Sequence, residues 1–172
     1  MIVLITGGSG CGKSTYAEKL ITSFSSTGRV YIATMQVYDE ESVRRVERHR
    51  AQRADKGFVT VECPKNLAHV SVEEGNCVLL EDIPNLLANE MFDGGDIDSI
   101  VPALKTLSQT CAYLVMVTND IFSDGVTYPS ATQEYIRRLA RINCAAAELS
   151  DHVIEVVYSI PVMLKGDAPC VY

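Results

Sequence analysis

One segment near the N-terminus carries the residues best suited to phosphate chemistry. It consists of Gly7, Gly8, Ser9, Gly10, Cys11, Gly12, Lys13 and Ser14. The spacing is that of a Walker A motif, G-x-x-x-x-G-K-S. Glycines in such a loop let backbone N–H groups approach phosphate oxygens, because no Cβ stands in the way. The motif predicts a phosphate-binding loop in which Lys13 reaches the β- and γ-phosphates and the Ser14 hydroxyl ligates Mg²⁺.

The residues on either side of this loop support the interpretation. An apolar run at 2–5 precedes the loop and has the length of a short strand, and a helix-like segment at 12–25 follows it. A phosphate-binding loop requires this order of strand, glycine-rich turn and helix, because the positive end of the helix dipole then faces the bound phosphates.

A second candidate for metal chemistry follows the apolar run 77–80. Glu81 and Asp82 come directly after this run, in the manner of a Walker B element. In a parallel sheet, an acid in this position lies at the carboxyl end of its strand, beside the phosphate loop, where it can hold Mg²⁺ or its water ligands. Glu81 is the first acid after the strand and is the predicted ligand. Asp82 is the alternative, and an acid with no metal role is the third possibility.

The segment 39–53 is rich in arginine and contains a histidine. Acids lie at its start and bases towards its end, which suits a helix dipole. In a helix, Arg45, His49 and Arg53 would share one face. Arginine forks match phosphate oxygens, and positive charge nearby lowers the pKa of a histidine, so His49 is a candidate nucleophile or base. The commoner explanation of such a run is an exposed charged helix. His69 and His152 lack comparable neighbours.

Length and composition limit the remaining possibilities. The chain has 172 residues, a net charge of −7 and an isoelectric point of about 4.9. These values favour one domain, predicted at 1–166 with a loose tail at 167–172, and argue against general nucleic-acid binding.

No apolar run approaches the ~20 residues of a membrane span, and no signal peptide is recognised. The six cysteines form no C-x-x-C pair, which indicates reduced thiols in a cytoplasmic protein.

Strand-like apolar runs alternate with helix-length segments along the chain. The runs are 2–5, 30–33, 58–61, 77–80, 113–117 and 153–157, and the helical segments are 12–25, 39–53, 97–109 and 130–149. This alternation predicts an α/β fold with a mostly parallel, doubly wound sheet. In the last helix, Arg137, Arg138 and Arg141 are either phosphate-contacting residues or, more commonly for such residues, part of a solvated face.

Several motifs in order along the chain resemble the bifunctional adenosylcobinamide kinase / adenosylcobinamide-phosphate guanylyltransferase family. The specific part is the strand 31–34, Tyr-Ile-Ala-Thr, followed by the arginine–histidine segment, because Walker A motifs occur in many kinases. The other matching stretches are 6–14, 60–62, 79–81, 117–119, 141–143 and 160–165. The resemblance covers nearly the whole chain, and it implies a P-loop fold.

The resemblance implies two reactions of cobalamin biosynthesis. A nucleoside triphosphate, ATP or GTP, phosphorylates adenosylcobinamide with Mg²⁺, and GMP then passes from GTP to adenosylcobinamide phosphate through a guanylylated histidine, which is His49 by the match. The implied nucleotide contacts outside the phosphate loop are Ala33, Thr34, Met35, Arg50, Ala51, Gln52, Arg53, Glu62 and Glu81. Family members are trimers, so the resemblance also implies a homo-oligomer.

The chain departs from the family pattern at a few positions, and two other functions remain open. Gly10-Cys11 replaces Arg-Ser, Phe58 replaces a tryptophan, Arg137 replaces an acid, and Ala140 and Ser159 replace glycines. One alternative is a small-molecule P-loop kinase without guanylyltransferase activity. The other is a nucleotide-dependent switch, although the segment 118–120 lacks the lysine of the guanine-reading motif Asn/Thr-Lys-x-Asp.

Overall fold

The structure is a computed structural model, and it describes residues 1–36, 44, 56–121 and 125–167. The strands of the described residues are β1 (Ile2–Thr6), β2 (Gly28–Ala33), β3 (Phe58–Glu62), β4 (Asn76–Glu81), β5 (Tyr113–Val117), β6 (His152–Val157) and β7 (Ile160–Lys165). The α-helices are α1 (Lys13–Ser23), α2 (Ile83–Phe92), α3 (Ile100–Thr110) and α4 (Ser130–Leu149). Short 3₁₀ helices occur at Leu67–His69 and Ile97–Ser99.

The described strands form one sheet in the order β3-β2-β4-β5-β1-β6-β7. Every neighbouring pair is parallel except β6 and β7, which are antiparallel. The continuous apolar strands β4 and β5 lie in the interior of the sheet, as expected of strands that are covered on both faces. The prediction of a mostly parallel α/β sheet is confirmed.

The two faces of the sheet carry separate hydrophobic cores. On one face, Ala17, Leu20 and Ile21 of α1 pack against buried residues of β1, β4 and β5, including Ile5 and Leu79. On the other face, residues from α2, α3 and α4 pack against the alternate residues of the same strands. Successive side chains of a strand point to opposite faces, so each interior strand contributes to both cores. The helix that follows the phosphate loop is therefore anchored across the middle of the sheet.

Among the described residues, one α-helix and one β-strand were not predicted by the sequence analysis. Helix α2 is apolar on most of its surface, so the amphipathic period that reveals a helix is weak; Pro84 lies in its first turn, where proline is tolerated. Strand β7 contains Pro161 and lies at the edge of the sheet, which is where proline is accepted in a strand. Its residues Ile160 and Leu164 are exposed.

Two predicted segments lie largely outside the described residues. Of the predicted helix at 39–53, only Arg44 is described, and it is exposed. Of the predicted tail, residues 168–172 are not described. The domain boundaries therefore stay predictions.

The five cysteines that the structure describes are free thiols. Cys63, Cys77 and Cys111 are buried, whereas Cys144 is exposed. Burial raises the pKa of the Cys111 thiol to about 11. A thiol that stays protonated near neutral pH is a poor nucleophile, so Cys111 contributes to packing.

Candidate nucleotide-binding site

The phosphate loop connects β1 to α1 and uses backbone conformations that favour glycine. Gly7, Gly10 and Gly12 have φ angles of 140°, 70° and 98°, which side-chain-bearing residues rarely adopt. Gly12 is the N-cap of α1, and the N–H of Tyr16 donates to its carbonyl oxygen at 3.0 Å. The first turn of α1 therefore begins at the end of the loop, and its free N–H groups are available to an anion.

Lys13 is folded back over this loop. Its side chain is only 7% exposed, and Nζ donates a hydrogen bond to the carbonyl oxygen of Gly8 at 2.7 Å. The same Nζ lies 3.9 Å from Sγ of Cys11. The ammonium is thus held at the loop, and phosphate oxygens are stronger acceptors than the neutral carbonyl that it contacts here.

The predicted metal ligands Ser14 and Glu81 are in direct contact. The Ser14 hydroxyl donates a hydrogen bond to Oε1 of Glu81, and the Tyr31 hydroxyl donates to Oε2 of the same carboxylate at 3.2 Å. Mg²⁺ prefers oxygen ligands and is commonly held by one carboxylate together with substrate phosphates. A serine hydroxyl and a carboxylate that converge beside a phosphate loop fit this ion.

Asp82, the alternative metal ligand, is engaged in a different role. Its Oδ1 accepts a hydrogen bond from the backbone N–H of Asn85 at 2.8 Å, which caps the N-terminus of α2. Its backbone N–H donates to Oγ1 of Thr34 at 2.7 Å, and that hydroxyl donates to the Asp82 carbonyl oxygen at 2.8 Å. Burial raises the pKa of the Asp82 carboxyl to about 6. The geometry therefore favours Glu81 as the ligand.

Three of the predicted nucleotide contacts lie side by side at the carboxyl edge of the sheet. Ala33 ends β2 and is in register with Glu62 of β3 on one side and Glu81 of β4 on the other. Thr34 and Met35 follow directly, and the N–H of Thr34 donates to the carbonyl oxygen of Glu81 at 3.1 Å. Ligands of open α/β sheets bind at this edge. The tertiary structure therefore places these residues at the same edge as the phosphate loop, and Glu81 among them contacts Ser14 directly.

A buried asparagine, which the sequence analysis did not identify, holds this edge together. Asn89 of α2 is 5% exposed, and its Nδ2 donates to the carbonyl oxygens of Thr34 at 2.8 Å and Pro64 at 2.9 Å. These two carbonyls follow β2 and β3 respectively. One side chain thus joins the chain after Ala33 to the chain after Glu62.

The turn between β6 and β7 also reaches the phosphate loop. Tyr158 and Ser159 have φ angles of 50° and 64°, as in the tight hairpin turns that usually carry glycine or asparagine. The N–H of Ser159 donates to the carbonyl oxygen of Cys11 at 2.8 Å. A Cβ on Gly12 would lie 2.6 Å from Oγ of Ser159, so the close approach of this turn also requires a glycine at position 12.

The remaining predicted residues are not part of this geometry. His49, Arg50, Ala51, Gln52 and Arg53 lie outside the described residues. In α4, Arg137 and Arg138 both pair with Glu134, at 2.9 and 2.7 Å. These pairs lie on the surface, in line with the solvated-face interpretation.

Residues 3–164 match the family model described as cobinamide kinase / cobinamide phosphate guanyltransferase. The chain belongs to this family. It is 34% identical to the bifunctional adenosylcobalamin biosynthesis protein CobU of Escherichia coli, over 96% of this chain and 100% of that protein. It is 31% identical to the bifunctional adenosylcobalamin biosynthesis protein CobP of Pseudomonas aeruginosa, over 95% of this chain and 97% of that protein. The predicted family and the predicted enzyme class are confirmed.

Solved structures agree with the fold. The flagellar accessory protein FlaH of Methanocaldococcus jannaschii aligns with a TM-score of 0.55 and 14% identity, over 96% of this chain and 78% of that one. At this level of identity, the likeness concerns the P-loop architecture alone. No helix in the described part of the chain combines the length and the apolar character needed to cross a membrane.

Proposed function

We propose that this chain phosphorylates the aminopropanol hydroxyl of adenosylcobinamide and then converts adenosylcobinamide phosphate to adenosylcobinamide-GDP. The observation that carries the proposal is the contact between Ser14, at the end of the phosphate loop, and Glu81, in a chain that matches this family over nearly its full length. The nucleotide and its metal ion would then bind at the carboxyl edge of the sheet, beside this contact.

In the kinase reaction, the phosphate loop binds the triphosphate of ATP or GTP. Backbone N–H groups of the loop and of the first turn of α1 donate to the phosphate oxygens. The Lys13 ammonium moves from the Gly8 carbonyl to the β- and γ-phosphates and stabilises the charge that develops during transfer. Ser14 and Glu81 would hold Mg²⁺, which, when bound, neutralises phosphate charge.

In the guanylyl transfer, His49 is the proposed nucleophile. Its neutral imidazole attacks the α-phosphorus of GTP, an N–P bond forms, and pyrophosphate leaves with the electrons of the broken P–O bond. A phosphate oxygen of adenosylcobinamide phosphate then attacks the same phosphorus and releases the imidazole. Arg50 and Arg53 are proposed to stabilise the charged transition states. Ala33, Thr34, Met35 and Glu62 are proposed to contact the nucleotide.

Further properties of the family extend the proposal. A trimeric assembly, Mg²⁺ dependence and a cytoplasmic location are inferred from the resemblance, and size-exclusion chromatography with light scattering tests the first of them. The alternative function, a kinase without guanylyl transfer, predicts no covalent nucleotide on the chain.

Labelling with α-³²P-GTP tests the proposal and separates it from this alternative. Wild-type protein with Mg²⁺ should acquire acid-labile label on the chain, whereas His49→Asn protein should acquire none and should keep its kinase activity. The matched control is His69→Asn, which removes a histidine at the end of a short 3₁₀ helix and should label normally. Label on the His49→Asn protein would assign the nucleophile to another residue. An unlabelled wild-type protein would favour the plain kinase.

A further inference from the structure

We propose that Tyr31 is a positioning residue that holds the carboxylate of Glu81 in the orientation needed to bind the metal. The Tyr31 hydroxyl donates to Oε2 of Glu81 at 3.2 Å, while Ser14 donates to Oε1. The inference rests on the proposed function because it takes Glu81 as a metal ligand. It adds a residue to which neither the family match nor the Walker motifs assign a role.

The register of the sheet explains how the two side chains meet. Tyr31 of β2 is directly paired with Leu79 of β4, and Glu81 lies two residues further along β4. Residues i and i+2 of a strand share a face, and so do paired residues of neighbouring strands. Tyr31 and Glu81 therefore lie on the α1 face of the sheet, and a tyrosine side chain is long enough to reach the next position of the neighbouring strand.

Packing fixes the position of the phenol ring. Tyr31 is 5% exposed and belongs to the core under α1. Its ring meets that of Phe58 edge-on, with centroids 6.3 Å apart and planes at 80°. A ring held in this way presents its hydroxyl at one place, whereas a glutamate side chain has three rotatable bonds and Glu81 is only partly buried. The rigid partner thus determines where the flexible carboxylate points.

The chemistry of metal sites gives this arrangement its function. Carboxylate ligands are commonly oriented by hydrogen bonds from residues that do not touch the metal, and loss of such a partner typically lowers metal affinity by roughly 10- to 100-fold. With Oε2 held by Tyr31, Oε1 stays directed at Ser14, the other predicted ligand. Both ligands are then aligned before the ion arrives, so less conformational entropy is lost on binding.

The test is Tyr31→Phe, which removes the hydroxyl and keeps the ring. Binding of Mn²⁺, a paramagnetic substitute for Mg²⁺, is measured by electron paramagnetic resonance with an α,β-methylene analogue of GTP bound, from which attack at the α-phosphorus cannot release pyrophosphate. We expect the Mn²⁺ dissociation constant to rise about tenfold or more. The matched control is Tyr113→Phe. This tyrosine also packs on the α1 face, where its ring stacks on that of Phe24 with the ring centroids 4.4 Å apart. It is the first residue of β5 and therefore lies at the amino ends of the strands, away from Glu81. The control variant should leave Mn²⁺ binding within twofold of wild type.

A double-mutant cycle separates positioning from a general loss of structure. In the Glu81→Gln background, Tyr31→Phe should produce no further loss of Mn²⁺ affinity, because the carboxylate through which it acts is already absent. Equal losses in both backgrounds, or unchanged Mn²⁺ affinity of Tyr31→Phe protein, would overturn the inference. The readout does not involve GMP transfer, so a failed labelling experiment at His49 and a failed test of Tyr31 remain distinguishable.

Discussion

The Ser14 hydroxyl donates a hydrogen bond to the carboxylate of Glu81 although 67 positions separate the two residues in the chain. Ser14 belongs to the first turn of α1, and Glu81 is the last residue of β4. Helix α1 packs on one face of the sheet, against residues that include Leu79 of β4. Its first turn therefore lies over the end of that strand. This one contact joins the two motifs that the sequence presents separately.

Glu81→Gln should weaken the use of Mg²⁺. The substitution removes a negative charge at the Ser14 contact with little change in shape, so we expect the half-saturating Mg²⁺ concentration of the kinase reaction to rise at least tenfold. The comparison variant is Asp82→Asn, whose side-chain oxygen can still cap α2. It should leave the Mg²⁺ titration within about threefold of wild type. The reverse ranking of these variants would assign the metal to Asp82.

Lys13→Ala should reduce kinase activity by more than tenfold, a loss of over about 1.4 kcal/mol of transition-state stabilisation. The ammonium at the phosphate loop is the group that we propose to contact the β- and γ-phosphates. Because Lys13 is buried and bonded to Gly8, thermal melting should be recorded with the kinetics. Lys19→Ala is the control, since Lys19 is exposed on the same helix. A Lys13→Ala enzyme within tenfold of wild type would contradict the assigned role.

Substitution of Asn89 should destabilise the carboxyl edge of the sheet. In Asn89→Ala, the carbonyl oxygens of Thr34 and Pro64 lose their shared donor, and we expect the free energy of unfolding to fall by about 2 to 3 kcal/mol. Asn89→Asp should be worse, because it directs a carboxylate at the same two carbonyls. Urea titrations measure both values. Equal stabilities of the two variants would contradict the prediction for Asn89→Asp. They would show that the new carboxylate turns away from the carbonyl oxygens of Thr34 and Pro64.

Ser159→Gly should stabilise the protein. Ser159 has a φ of 64°. This left-handed backbone conformation costs a residue with a Cβ about 1 kcal/mol, whereas glycine adopts it without that cost. The backbone N–H that donates to Cys11 is retained. We expect the free energy of unfolding, measured by urea titration, to rise by about 0.5 kcal/mol. This value already subtracts the cost of the extra conformational freedom that glycine has in the unfolded chain. Ser159→Ala keeps the strain and should show no gain, so a stabilised alanine variant would attribute the effect to the hydroxyl.

The pH dependence of stability should reveal the raised pKa of the Asp82 carboxyl. Burial raises its folded pKa to about 6, above the ordinary value of 3.8. The unfolded chain therefore releases this proton first, and the wild-type free energy of unfolding loses this contribution as pH rises from about 4 to 6. Asp82→Asn lacks the titration. Its stability relative to wild type should increase over this interval, as measured by urea titrations in EDTA. A constant difference would contradict the raised pKa.

Local patterns in the sequence were sufficient to predict several features. The Walker A spacing and the apolar run before it predict strand, loop and helix, because each depends on neighbouring residues: glycine conformations, helix dipole and strand hydrophobicity. Buried parallel strands are continuous apolar runs, so β1, β4 and β5 were recognised, and the family resemblance was confirmed by the match to residues 3–164. Helix α2 and strand β7 were missed, since their local patterns are weak.

Only the tertiary structure decided which residues meet. The order of the strands, with β5 between β4 and β1, is set by how the helices cover the two faces, and no local pattern encodes it. The preference for Glu81 over Asp82 as the predicted metal ligand depends on their contacts: Glu81 meets Ser14 of α1, whereas Asp82 caps α2. Tyr31 and Asn89 make hydrogen bonds to residues that are 50 or more positions away in the sequence. Such contacts form because burial demands a partner for each polar group, and the fold determines which partner lies within reach.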